Sequence, residues 1–174
     1  MKVICISGKA QHGKDAAAQF MKDILEDDGK SVLITHFSDL LKYICLKFFE
    51  WNEEKDDAGR SLLQYVGTDV IRKSQPDFWV NFIKSILSLF PTEWDYVIVS
   101  DCRFPNEYEC IRDEGFDVTL VRVYRPDFTS LLNDEQLTHP SETAMDEYKL
   151  DYYIENNGSI EGLRKSTRAF LRLL

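Results

Sequence analysis

Gly8, Gly13 and Lys14 stand at the spacing G-x-x-x-x-G-K inside residues 3–15, VICISGKAQHGKD. That spacing suits the cradling of a nucleoside triphosphate's phosphates. A polyanionic chain needs several backbone N–H groups turned inward, and glycine lets the backbone take positive φ and approach that closely. The lysine brings a full positive charge to the β and γ phosphates, while the following helix offers unpaired N–H groups and its positive dipole end. Lys9, Ala10, Gln11 and His12 fill the loop, so residues 8–15 are the expected triphosphate-binding stretch. Position 15 is Asp, where the motif ordinarily has Ser or Thr on a magnesium ion. A carboxylate is favoured at a helix N-terminus, and Asp15 is expected to hold the metal directly or through water.

A second set of charges follows apolar runs. Asp101 and Arg103 come directly after residues 95–100, DYVIVS. Asp101 suits the second magnesium-orienting carboxylate of a phosphate-loop enzyme, and equally a helix cap. The Arg103 guanidinium suits a two-pronged grip on a phosphate, its plain alternative being a surface ion pair. Arg125 ends the run 118–124, VTLVRVY, where a cation stabilises charge on a transferring phosphoryl group. Lys42, Arg60 and Arg72, taken singly, read as solvated charges. Trp79 reads as core, with stacking on a base as its functional alternative. His12, His36 and His139 show no metal-ligand spacing, and neither a G-x-S-x-G nucleophile elbow nor a G-x-G-x-x-G dinucleotide fingerprint is present.

The elements that must position these residues follow from periodicity. The first apolar run predicts a strand, and Ala16, Ala17, Phe20, Met21, Ile24 and Leu25 predict a helix closed by Asp27, Asp28 and Gly29. Residues 31–36 (SVLITH) predict a second strand, so the chain begins as a parallel α/β sheet. Helical patterns start at Asp39 and Arg60 and span residues 78–90, separated by a charged, solvated connection at 50–59 and a break at Pro76. This block stands between the second and third strands and is expected to flap over the sheet's C-terminal edge. Residues 95–100, 118–124 and 152–154 predict three further strands, with short and long helices at 107–114 and 159–174. The polar, aperiodic segment 126–140 is long enough for a functional loop.

With 174 residues the chain is sized for one domain with a substantial core. Its formal net charge of −9 argues against a nucleic-acid polymer or an anionic membrane as partner, since both need a basic footprint. Cys5, Cys45, Cys102 and Cys110 show no C-x-x-C pair and read as buried or half-buried thiols. The apolar run before Gly8 is too short for a signal peptide, and no run reaches membrane-spanning length, so a cytoplasmic protein is expected.

The chain resembles the phage-type deoxynucleoside monophosphate kinases, within the wider group of phosphate-loop nucleoside monophosphate kinases. The resemblance rests on SGKAQHGKD at 7–15, FSDLLK at 37–42, RSLLQYVGTDVIR at 60–72, DFWV at 77–80, SDCRFPNE at 100–107, RVYRP at 122–126 and HPSETAMDEYKLDYYIENNGS at 139–159. Asp15 belongs to that pattern. The resemblance implies a P-loop NTP hydrolase-like α/β fold, a mostly parallel five-stranded sheet with helices on both faces. Its core would be residues 1–37, 91–126 and 150–174, with a helical acceptor-binding insertion at 38–90 and a lid at 127–149. It implies γ-phosphoryl transfer from ATP, with magnesium, to a deoxynucleoside monophosphate. Residues 8–15 would then hold ATP, with Asn157 and Gly158 near its adenine. Asp39, Lys42, Arg60, Gln64, Arg72 and Trp79 would form the acceptor pocket. Arg103 would grip the acceptor phosphate, Asp101 would orient magnesium, and Arg125 and His139 would border the lid. Lys14, Asp101, Arg103 and Arg125 are the expected catalytic residues, and Asp15 and Asp101 the expected metal residues. Base preference and assembly stay open, a homodimer included.

Two other readings share the loop. Animal-type phosphomevalonate kinases are similar there and in the acidic end of the 127–149 segment, and would replace the nucleotide by a phosphorylated isoprenoid precursor. FPNE after Arg103 and the LLQYVGT helix favour the nucleotide. A regulatory module that binds ATP without phosphotransfer does not require Arg103 and Arg125 at both strand ends.

Overall fold

The computed structural model describes all residues, Met1 to Leu174. Strand β1 (Lys2–Ser7) leads through the glycine loop into α1 (Lys14–Asp27) and then β2 (Val32–Thr35). Helices α2 (Asp39–Phe48), α3 (Asp57–Gln64) and α4 (Phe78–Leu89) follow, with a π-helical segment, Tyr65–Arg72, continuing α3. Then come β3 (Tyr96–Cys102), α5 (Pro105–Asp113), β4 (Asp117–Tyr124), two short helices α6 (Asp134–Thr138) and α7 (Pro140–Thr143), β5 (Tyr152–Glu155) and α8 (Ile160–Leu171).

All four strand pairings are parallel, and the order is β2-β3-β1-β4-β5. The near-continuous apolar runs VICI and VIV explain this, since a parallel sheet is buried on both faces. Alternate side chains divide accordingly. Val3, Cys5, Val97, Val99 and Leu120 pack with Leu41, Cys45, Trp79, Val80, Ile83 and Ile111. Ile4, Ile6, Ile98, Val121, Val123 and Ile154 pack with Ala17, Ala18, Met21, Leu163 and Phe170. Thus α2, α4 and α5 cover one face and α1 and α8 the other. From β1 the chain steps outward to β2 on one side and later to β4 on the other, so the loop after β1 opens at the sheet's switch point, where open α/β sheets take ligands.

Some elements differ from the sequence expectation. Strand β3 runs on through Asp101 and Cys102, and its register against β1 slips between Cys5 and Ser7, which pairs with Cys102. An extra residue of this kind re-aims side chains. Here Ser100 and Asp101 both border the same cavity. The 50–59 connection is not simply solvated: Trp51 is buried and its indole N–H donates to the Glu54 carbonyl, while Asp56 caps α3 through the Gly59 N–H. The helix therefore starts before Arg60. Segment 126–140 holds α6, capped by Asn133. Cys5, Cys45 and Cys102 are buried and Cys110 half-buried, all as free thiols. No helix is long and apolar enough to cross a membrane.

Candidate active site

The loop after β1 takes the backbone that its glycines permit. Gly8 has φ +145°, and a Cβ there would stand 2.3 Å from the Val123 carbonyl oxygen; Gly13 has φ +95°, with Asn156 Nδ2 2.7 Å from such a Cβ. Gln11 also adopts positive φ. Lys14 folds back over the loop, donating to the carbonyls of Gly8 (2.7 Å) and Lys9 (2.9 Å). Burial, reinforced by the nearby Arg103 charge, lowers its pKa to about 8. Asn156 at the end of β5 donates to the His12 carbonyl at 3.0 Å, fixing the loop from behind. Asn157 and Gly158 lie just past that contact and are exposed.

Beside the loop, at the C-terminal edge of the sheet, opens a cavity of about 730 Å³. Ala10, Gln11, Lys14 and Asp15 border it from the loop; Asp101 and Arg103 from β3 and just beyond; Lys42, Arg60, Gln64, Arg72 and Trp79 from the helical block. The structure thus gathers eleven of the residues expected from sequence around one space. A smaller cavity of about 190 Å³ lies against Gly8, Lys9, His12 and Arg103.

Asp39, His139 and Arg125 line neither cavity. The Asp39 carboxylate accepts from the His36 N–H (2.8 Å) and from Lys42 Nζ (3.0 Å), closing the turn into α2. His139 caps α7, its Nδ1 accepting from the Ser141 N–H, while Nε2 lies 3.7 Å from Asp69 Oδ1. Arg125 lies over the Phe128 ring, 4.6 Å from its centre, and its N–H donates to His12 Nδ1 at 3.3 Å. Trp79 is buried, its indole N–H donates to the Gly67 carbonyl at 3.0 Å, and it borders the cavity.

Asp101, Asp15, Arg72 and Arg103 all have protein partners. Asp101 accepts from the Phe37 (2.7 Å) and Ser38 (3.1 Å) N–H groups, tying the β2–α2 turn to the end of β3. Asp15 accepts from Ser100 Oγ at 2.7 Å and lies 3.5 Å from His36 Nε2; hydrogen bonding to His36 and then to Ser100 holds its carboxyl well below the usual range. Burial alone would lower the His36 pKa, but hydrogen bonds to Asp15 and Asp39 outweigh it and raise the value to about 9. His36 thereby clamps the first turns of α1 and α2 together as an imidazolium. Arg72 pairs with Glu107, donates to Asn106 Oδ1 and stacks on Phe104. Burial pushes the Glu107 carboxyl up to about 7 against the pull of Arg72.

Arg103 pairs with Glu142 of α7 and donates to the Ser141 carbonyl at 3.0 Å. The same Glu142 carboxylate accepts from the Ala10 N–H of the glycine loop at 2.9 Å. Burial opposes its ionisation, yet Arg103 holds its pKa down. A resident carboxylate therefore bridges the loop and Arg103. Sequence reasoning passed over His36, Ser100, Glu107 and Glu142. Glu142 lies in the HPSE stretch at 139–142, and only folding brings it to residue 10.

A family model described as deoxynucleotide monophosphate kinase matches residues 24–167. The chain belongs to that family. It is 31% identical to a protein of Acanthamoeba polyphaga mimivirus provisionally named deoxynucleotide monophosphate kinase, over 92% of this chain and 91% of that one. It is also 31% identical to the deoxynucleotide monophosphate kinase of Enterobacteria phage T4, over 87% of this chain but 58% of the phage protein. Among solved structures, the APS kinase CysC of Mycobacterium tuberculosis superposes with a TM-score of 0.53 at 12% identity, covering 98% of this chain and 96% of that one, which establishes the P-loop kinase fold. Family membership decides among the three sequence readings for a deoxynucleotide monophosphate kinase.

Proposed function

We propose that this kinase transfers the γ-phosphoryl group of ATP to the phosphate of a deoxynucleoside monophosphate, giving the diphosphate. The observation that carries this reading is the sharing of one cavity by the glycine loop, Arg103 and the Arg60, Gln64 and Trp79 wall, which suits a donor and an acceptor held face to face. Residues 8–15 take the triphosphate, and its charge replaces the loop carbonyls as the partner of Lys14. The acceptor phosphate takes the place of Glu142 on Arg103. Lys42, Arg60 and Arg72 add positive charge, and Trp79 offers a flat apolar wall. Residues 38–90 act as the acceptor-binding insertion and 127–149 as a lid on the core.

No nucleophilic side chain is required, because an acceptor phosphate oxygen attacks the γ-phosphorus. The protein aligns the two and neutralises charge, and closure excludes water. The donor set suits magnesium: Asp15 is held ionised beside the Ser100 hydroxyl, both hard oxygen ligands. Asp101, with each oxygen already accepting an N–H, would help to orient the metal. No three His, Cys, Asp or Glu side chains form a cage, so the remaining ligands come from phosphates and water. Magnesium supplies charge neutralisation on the transferring phosphoryl group.

The test is a coupled assay for ADP formation with ATP and magnesium against deoxynucleoside and ribonucleoside monophosphates, with phosphomevalonate alongside. Deoxynucleotide turnover is expected, lowered on the order of 10²- to 10³-fold in Lys14→Ala. Turnover with phosphomevalonate alone overturns the proposal.

A further inference from the structure

Gln136 of α6 is 2% exposed, borders the large cavity, and neither its Nε2 nor its Oε1 has a hydrogen-bond partner. Buried side-chain amides are nearly always paired, so an unpaired one in a residue that borders a cavity points to a partner reached when a ligand enters and the side chain turns to it. Its backbone is fixed, the Gln136 N–H donating to Asn133 Oδ1 at 2.9 Å. Three residues on, His139 Nε2 lies 3.7 Å from Asp69 of the π-helical segment. Gly67 and Thr68 of that segment border the same cavity, as do Leu63, Trp79 and Leu132. Leu63, Trp79 and Leu132 give that cavity apolar surface on which a flat ring can lie.

An amide offers a donor and an acceptor side by side. A phosphate offers acceptors only and would leave one end facing its like. The edge of a nucleobase, with donor and acceptor groups adjacent, satisfies both ends. We infer that Gln136 reads the base of the acceptor nucleotide and sets which monophosphate is phosphorylated. This inference rests on the cavity's being the acceptor site.

The test measures kcat/KM for the four deoxynucleoside monophosphates, the KM for ATP and the melting temperature, in wild type, Gln136→Met and Gln136→Glu at pH 8. Replacing an unpaired buried amide by an apolar chain of similar length leaves stability level or raises it. Gln136→Met is expected to keep or raise the melting temperature while lowering kcat/KM for the best nucleotide about tenfold or more, with the ATP KM unchanged. A glutamate offers acceptors only and pairs with two adjacent donors, which guanine alone presents, so Gln136→Glu is expected to move the ranking toward dGMP. An unchanged ranking in both variants, or a melting temperature that falls with activity in Gln136→Met, overturns the inference while leaving the kinase reading standing. Absence of nucleotide turnover in wild type overturns both.

Discussion

At the sheet side of the large cavity Lys14, Arg103, Asp101 and Asp15 all have protein partners, whereas at α6 the Gln136 amide has none. The first region holds its charges on protein partners before any ligand arrives, so a ligand there would exchange for partners already in place. The second is completed only by a ligand, which is how a site rejects molecules lacking the right edge. With the roles proposed above, rate and choice of substrate would be separated in space within one cavity.

The comparison breaks most visibly at Arg103. In Arg103→Ala, Glu142, whose side chain is 5% exposed, loses its cation. The acceptor efficiency is expected to fall on the order of 10²- to 10³-fold, with a stability loss of about 1–3 kcal/mol by denaturant titration. Calorimetry should still detect ATP. Normal acceptor kinetics would remove Arg103 from the site.

A pH series sharpens the same contrast. The folded-state pKa of His36 is raised from 6.5 to about 9, so its contribution to stability is fully present below about pH 6.5 and is lost as pH rises through 9. Lys14, lowered to about 8, acts oppositely above that value. Between about pH 7 and 8 the melting temperature should therefore decline with pH in wild type and stay flatter in His36→Ala. Equal slopes would show that the clamp between Asp15 and Asp39 does not depend on the imidazolium charge.

The smallest effect is expected at Arg125, which meets the loop through its backbone and lies over Phe128. Arg125→Ala should raise the ATP KM by less than about tenfold and leave kcat nearly unchanged, short of what one transition-state donor contributes. A hundredfold drop in kcat would place its guanidinium on the transferring group instead.

The loop and strands were legible because local spacing carries them: G-x-x-x-x-G-K and the VICI and VIV runs each lie within a dozen residues. The clustering of Arg60, Gln64 and Trp79 with the loop came from family resemblance, since no local pattern reports it. The slip beside Ser100, the π-helical turn at Tyr65–Arg72 and the placement of Gln136 arise from tertiary packing. His36 was set aside for want of metal spacing, although its partners are carboxylates from two different helices.

Glu142 gives the empty site an occupant of its own. With the acceptor phosphate proposed at Arg103, a ligand would trade places with a carboxylate already seated on Arg103 and the Ala10 amide. A singly charged anion gains little from such an exchange, while a phosphate monoester brings nearly two charges and more oxygens. An enzyme that binds its acceptor there would rank incoming anions by charge, and common monovalent anions of the cell would compete poorly for the place.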